Sequence, residues 1–252
     1  MSNTKTVYKR SEGLAKVSNS YCPGCTHGII HKLVAETLVD LEILDRTVGI
    51  SSVGCSALNY DFFSCDMQQA AHGRAPAVAT GIKRVKPDTI VFTYQGDGDL
   101  ASIGIAEAIH AAARGENITI VFVNNAIYGM TGGQTSPTTL LGQKTTTSQD
   151  GRQEEGTGLP LRVSEMMSMI PGATYIERVS VHNPQHVNKA KKALKKAFQI
   201  QKDKKGFSMI EFISTCPVNW GMKPREAIDW AVDNLIPYYP LGVYKDKTEG
   251  EK

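Results

Sequence analysis

The 252-residue chain has no uninterrupted apolar run near the ~18 residues of a membrane-spanning helix, so no transmembrane segment is expected. Charge of one sign is also scarce. With 28 Lys and Arg against 25 Asp and Glu, the net charge of +3 is too small to argue for nucleic acid or an anionic membrane as a partner. Cysteine is sparse and odd in number: Cys22, Cys25, Cys55, Cys65 and Cys216. Such a set is no complete disulfide framework and fits a reducing compartment. The opening MSNTKTVYKRSEG lacks the apolar stretch of a secretory leader, so the expected location is the cytoplasm. There is no Walker lysine pattern, no internal repeat and no linker, so residues 1–252 are expected to form one domain.

What is present is an alternation of strand-like and helix-like segments. Residues 25–41 read as a helix, with Ile29/Ile30, Leu33/Val34 and Thr37/Leu38 on one face. Strands are expected at 47–53, 89–94, 118–123, 173–178 and 207–213, and helices at 67–85, 100–114, 162–169, 184–201 and 225–235. Asn183 and Pro184 make a helix start, the cap followed by proline at the first helical position. Runs such as ITIVFV are apolar on both faces, as parallel strands covered by helices require. The fold class is therefore α/β: an open, mostly parallel sheet with helices on both faces. A polar stretch at 131–160 reads as a long functional or disordered loop, and the tail from about 237 as extended.

The chemistry starts at Gly96-Asp97-Gly98-Asp99, which follows a strand and precedes an Ala/Ile-rich helix. A glycine turn at that junction suits a phosphate, because backbone N–H groups and the helix dipole face it. An aspartate between the glycines would repel a diphosphate unless a divalent cation lay between them. Asp97 and Asn125 supply the hard oxygens that Mg²⁺ prefers. Both follow predicted strands, so they land on one edge of the sheet, where ligands of such folds sit. The G-x-G-x-x-G of dinucleotide sites does not fit, since the third glycine arrives late, at Gly104. The plain alternative is an acidic turn in which Asp99 merely caps the next helix.

The cysteines leave more than one reading. Cys22-Pro-Gly-Cys25 could be a redox dithiol, and C-x₂-C with two further thiols can hold zinc or an iron–sulfur cluster.

GDG, a helix and strand, and then NN resemble the thiamine diphosphate motif. The continuation NNAIYGMTGGQTSPTT, with CPGC near residue 22 and CPVNWG near residue 216, resembles the β chain of the 2-oxoacid:ferredoxin oxidoreductases over most of the sequence. That resemblance implies a thiamine diphosphate-binding fold. It implies Mg²⁺ held by Asp97, Asn125 and the backbone carbonyl of Ile127. Gly96, Gly98 and Asp99 would line the diphosphate, while Gly129, Met130 and Thr131 would approach the reactive end. Ser56 and Gly73 complete the implied cofactor-binding set. His72, in the HGRA segment, is the implied catalytic residue beside the thiazolium; the bland reading is a helix-end histidine with a backbone partner. His27, His31, His110, His182 and His186 read as structural or exposed.

The same resemblance assigns a 4Fe-4S cluster to Cys22, Cys25, Cys55 and Cys216, and leaves Cys65 as a buried free thiol. It implies CoA-dependent oxidative decarboxylation of a 2-oxoacid to acyl-CoA and CO₂, with electrons passing to ferredoxin. The aromatic residues Tyr60, Phe62 and Phe63 follow Cys55 in the region implied to border the substrate, and no lysine or arginine lies between Cys55 and Arg74. The lean is therefore a branched-chain acid such as 2-oxoisovalerate, with 2-oxoglutarate as the alternative. The different-class alternative is a non-catalytic thiamine diphosphate- or zinc-binding scaffold. The glutamate that activates thiamine, and the pyrimidine-binding domain, are expected on a separate α subunit. Gamma and ferredoxin-like delta subunits are further implied partners. The Lys-rich segment 189–205 reads as a solvated face, with docking of acidic ferredoxin as a second possibility.

Overall fold

A computed structural model describes residues 8–248. Residues 1–7, part of the segment read for a leader, and 249–252 of the tail lie outside the described residues. The chain builds one seven-stranded sheet in the order β2-β1-β3-β4-β6-β5-β7. In sequence order its regular elements begin with α1 (His27–Asp40), β1 (Thr47–Ser51), β2 (Asp66–Gln69), α2 (Ala75–Val85) and β3 (Ile90–Gly96). There follow α3 (Ile105–Ala113), β4 (Thr119–Asn124), α4 (Glu154–Thr157), α5 (Val163–Ser168), β5 (Ala173–Ser180), α6 (Pro184–Lys202) and β6 (Phe207–Ile213). The last are α7 (Pro217–Trp220), α8 (Pro224–Trp230), α9 (Ile236–Tyr238) and β7 (Gly242–Asp246). All pairings are parallel except β7 against β5.

The three central strands are buried along almost their whole length, as their two-sided apolar sequences demand. Alternate side chains feed two cores. Phe92, Tyr94, Val121, Val123, Ile210 and Phe212 pack under α1 and α6. Val91, Ile120, Phe122 and Met209 pack under α2, α3 and α5. Each such buried side chain stabilises the fold by ~1.5–3 kcal/mol. Helix α6 starts as expected, with Asn183 accepting the His186 N–H at 3.0 Å. Its buried face is Ala190, Ala193, Leu194, Ala197, Phe198, Ile200 and Gln201. Its lysines are not uniformly solvated: Lys191 pairs with Glu36 and Asp40 of α1, and Lys196 with Asp246 of β7.

One expectation needs correction, and two gain detail. The segment 67–85 is not one helix. Its polar first part is the edge strand β2, and the chain turns at Ala71–Arg74 before α2 begins. The tail is extended where it forms β7, which closes the sheet edge, after helical backbone that continues from α8 to Tyr238. The stretch 131–160 is a long loop, and the structure orders it. It holds only the distorted turn α4, yet Leu140 joins Ile213, Ala231, Leu235 and Tyr239 in a third apolar core.

Candidate active site

Because β1, β3, β4 and β6 are parallel, their carboxyl ends share one edge, and β1/β3 is where successive connections turn to opposite sides. A cleft opens there. It is lined by Gly96–Asp99 after β3, by Asn125 and Ile127–Thr131 after β4, by Val53–Ser56 after β1, and by His27 and His72. The structure thus brings together every cofactor-site residue expected from sequence except Gly73, which lies just behind His72.

Asp97 is 2% exposed. One oxygen accepts the Gly98 N–H at 3.0 Å, and the other accepts hydroxyls from Ser136 at 2.7 Å and Thr138 at 2.6 Å. Burial pushes its pKa up to about 6, against the opposing pull of these donors. A carboxylate so placed has every incentive to take a cation. Asn125 turns its Oδ1 back to the Ile127 N–H at 3.3 Å. Between them Ala126 adopts a left-handed φ of 56°, which redirects the chain at the ligand segment. The backbone at Gly98 packs against the Tyr128 ring, whose hydroxyl donates to the Gly98 carbonyl at 3.2 Å.

Asp99 borders the cleft, but its carboxylate is spent on the protein rather than left to cap the next helix. It meets His72 Nδ1 at 2.5 Å, accepts the Gly73 N–H at 2.6 Å and accepts Gln95 Nε2 at 2.5 Å. Gly73 is required here twice over. Its φ is +77°, and a methyl group on it would stand 2.7 Å from the Gly104 nitrogen. His27, read as structural, also faces the cleft. Its Nδ1 lies 2.7 Å from the Tyr94 hydroxyl and its ring stacks on Tyr21; burial lowers its pKa to about 4, so the ring is neutral.

The aromatic residues after Cys55 behave differently from expectation. Phe62 and Phe63 are 7% and 5% exposed and pack against His31 and the core, and Tyr60 does not line the cleft. The apolar lining is instead Val53, Ile127 and Met130, and no lysine, arginine or glutamate contributes to it among the described residues.

Four thiols gather beside this cleft. Cys22, Cys25, Cys55 and Cys216 lie within electrostatic reach of one another, and burial pushes Cys25 to about 12 and Cys55 to about 11. A methyl group on Gly129 would stand 3.3 Å from Cys55 Sγ and 3.6 Å from Cys216 Sγ. The CPGC turn is stitched to the approach of Cys216: Thr26 Oγ1 meets Ser214 Oγ at 2.5 Å, and Thr215 donates to the Gly24 carbonyl at 2.8 Å. Among the described residues no three His, Cys, Asp or Glu side chains stand close enough to hold a single metal ion. Cys65 lies apart, its thiol 3.8 Å from Met67 Sδ, partly buried as a free thiol. Asn219 went unnoticed in the sequence although it sits in CPVNWG; it donates to the Gly129 carbonyl at 2.8 Å and to Cys216 Sγ at 3.3 Å.

The thiamine pyrophosphate enzyme C-terminal TPP-binding domain matches residues 52–212. A 2-oxoglutarate synthase subunit KorB of Methanocaldococcus jannaschii is 37% identical over 97% of this chain and 86% of its own. The chain belongs to the 2-oxoacid:ferredoxin oxidoreductases. Within that family it is a subunit that binds thiamine diphosphate. A ketoisovalerate oxidoreductase subunit VorA of Methanothermobacter thermautotrophicus is 44% identical over 96% of the chain, but the chain spans only 51% of that relative. The 2-oxoglutarate:ferredoxin oxidoreductase of Magnetococcus marinus, solved with 2-oxoglutarate, coenzyme A and succinyl-CoA, superposes with a TM-score of 0.78 at 27% identity, covering 97% of this chain and 87% of that one. The open, mostly parallel sheet is that of the family. Among the described residues no helix is long and apolar enough to cross a membrane.

Proposed function

We propose that this chain is the cofactor-bearing β subunit of an enzyme that converts a 2-oxoacid and coenzyme A to acyl-CoA and CO₂, passing two electrons to ferredoxin. The observation that carries the reading is the meeting, on one sheet edge, of the Asp97/Asn125 cleft with four thiols. Asp97, Asn125 and the Ile127 carbonyl would hold Mg²⁺; a buried carboxylate beside an amide oxygen is a hard donor set. Cys22, Cys25, Cys55 and Cys216 would hold a 4Fe-4S cluster. A single zinc ion needs thiolates drawn to ~2.3 Å from one point. Zinc also cannot take up the electrons that oxidative decarboxylation releases, whereas an iron–sulfur cluster can, and that favours the cluster.

When bound, thiamine diphosphate supplies the carbanion chemistry for decarboxylation, and the cluster takes up the electrons released. The chain's own residues do the rest. Gly96 and Gly98 let the backbone approach the diphosphate. His72 presents Nε2 toward the reacting end and exchanges a proton there, held by Asp99. Val53 and Met130 give the substrate an apolar wall and exclude water. The lack of a lining cation supports a branched-chain 2-oxoacid over one with a second carboxylate. The lack of a lining glutamate supports an α subunit that contributes the activating glutamate and the pyrimidine-binding domain. Gamma and ferredoxin-like delta subunits complete the assembly we propose, in the reducing cytoplasm that five free cysteines suit.

The deciding experiment is anaerobic co-purification with partner subunits, followed by viologen reduction with coenzyme A and a panel of 2-oxoacids. Rapid turnover of 2-oxoisovalerate supports the reading. A preference for 2-oxoglutarate overturns the substrate assignment, and a colourless, zinc-loaded assembly overturns the cluster.

A further inference from the structure

The segment after the cleft holds a buried cation with no anion. Arg152 is 4% exposed, and among the described residues no carboxylate pairs with it. Its guanidinium is committed to backbone carbonyls. One terminal nitrogen donates to Ser136, Pro137 and Thr139 at 3.2, 3.1 and 2.6 Å, and the other terminal nitrogen to Thr157 and Leu159 at 3.0 and 3.3 Å, while Nε has no partner among the described residues. Dehydrating a charge in this way is costly, so a fold that retains it needs the turn it clamps. That turn, residues 136–139, faces the metal-binding residues from both sides. Ser136 and Thr138 donate to the same oxygen of Asp97 at 2.7 and 2.6 Å. Thr139 donates to the carbonyl of Ala126 at 2.7 Å, and Gln143 reinforces it at 3.1 Å. Ala126 is the left-handed residue between Asn125 and Ile127.

We propose that the Arg152-clamped turn 136–139 is a brace that positions both halves of the divalent-cation site. Asp97 is held through Ser136 and Thr138, and the Asn125–Ile127 segment through Thr139. Cation affinity is then set partly by hydroxyls that serve as positioning residues, not as ligands. The inference rests on the assignment of the cation to Asp97 and Asn125. Partners that orient ligating carboxylates typically change metal affinity by ~10–100-fold when removed.

The test uses the full chain in the assembly in which it purifies anaerobically. Mn²⁺ is titrated in the presence of thiamine diphosphate, and free Mn²⁺ is read by electron paramagnetic resonance. Thr138→Val and Ser136→Ala should each weaken Mn²⁺ binding about 10-fold, whereas Thr138→Ser, which restores the hydroxyl, should bind as wild type. Arg152→Lys should weaken it as well; if that variant does not fold, the Thr138 pair decides. Asp97→Asn serves as the control. Wild-type affinity in Thr138→Val, with binding lost in Asp97→Asn, overturns the brace and leaves the cation site standing. Undiminished binding in Asp97→Asn overturns both.

Discussion

His72 Nδ1 stands 2.5 Å from an oxygen of Asp99 that also accepts the Gly73 N–H. The other Asp99 oxygen accepts Gln95 Nε2, so this 2%-exposed carboxylate is largely committed to the protein. It fixes the imidazole, and the opposite ring nitrogen is left for the cleft. The expected consequence is that His72→Gln lowers turnover by ~10²–10⁴-fold, the usual worth of a positioned proton-transfer group. Thiamine diphosphate affinity should change far less. Asp99→Ala should reproduce much of the loss in kcat. Viologen reduction gives kcat, and quenching of protein fluorescence gives cofactor affinity. Full activity in His72→Gln removes the residue from the chemistry.

Two glycines of one motif should respond oppositely to the same substitution. A methyl group on Gly96 meets nothing within 4 Å, while one on Gly98 would stand 2.2 Å from a carbon of the Tyr128 ring. Gly96→Ala should therefore leave the melting temperature unchanged yet weaken thiamine diphosphate binding, because the methyl occupies space at the diphosphate. Gly98→Ala should lower stability by ~1–3 kcal/mol through overpacking. Calorimetry with and without thiamine diphosphate and Mg²⁺ separates the two. Equal cofactor affinity in Gly96→Ala and wild type argues that the diphosphate lies elsewhere.

The contrast between what was legible in the chain and what was not follows physical lines. β3, β4 and β6 announce themselves because both faces are apolar, and Asp97 and Asn125 follow from spacing at strand ends. β2 hides because Asp66–Gln69 is a short polar edge, and β7 because a polar tail gains strand structure only from β5. The order of 131–160 depends on one arginine reaching carbonyls and on Leu140 finding the C-terminal helices, neither of which leaves a periodic trace. The Ser136 and Thr138 hydroxyls read as loop polarity until the fold carries them to Asp97, 39 and 41 residues away. Phe62 and Phe63 look like pocket residues because they follow Cys55. Their burial under α1 is decided by a 3₁₀ turn, Cys55–Asp61, that the pattern does not reveal. His27 lies at the start of α1, where helical periodicity masks that this buried ring borders the cleft.

The cysteines separate by position. Cys22→Ser, Cys25→Ser, Cys55→Ser and Cys216→Ser should each diminish the visible thiolate-to-iron absorbance and the iron content of anaerobically purified protein. Cys65→Ser should change neither, since its thiol packs on Met67 away from the other four. Asn219→Ala removes a donor to Cys216 Sγ, and such hydrogen bonds help set cluster potentials. Losing it should make the cluster harder to reduce, seen as a negative shift in a redox titration. Loss of the absorbance in Cys65→Ser with retention in Cys55→Ser contradicts the ligand assignment.

Beneath the site lies an ionic trio in which Arg178 and Glu211 are fully buried and Glu165 is half-buried. Arg178 donates through Nε to Glu211 at 2.8 Å and through its other nitrogens to Glu165 at 3.0 and 2.5 Å, while Glu211 also accepts Asn124 Nδ2 at 2.8 Å, one residue before Asn125. Removing the cation alone leaves Glu211 buried without its countercharge, so Arg178→Met should cost ~3–5 kcal/mol. Arg178→Met combined with Glu211→Met should recover a large part of that loss. Burial pushes Glu165 upward, but the hydrogen bonds and charge of Arg178 outweigh it and leave its carboxyl below the ordinary value of 4.5. A carboxyl depressed in the folded state adds stability that is complete above its unfolded value and fades as pH falls through the folded one. The acid limb of the stability curve should therefore begin below about pH 4.5 and become shallower in Glu165→Gln. Urea unfolding followed by circular dichroism from pH 3 to 7 measures both effects. An unchanged acid limb in Glu165→Gln excludes this pair as its source.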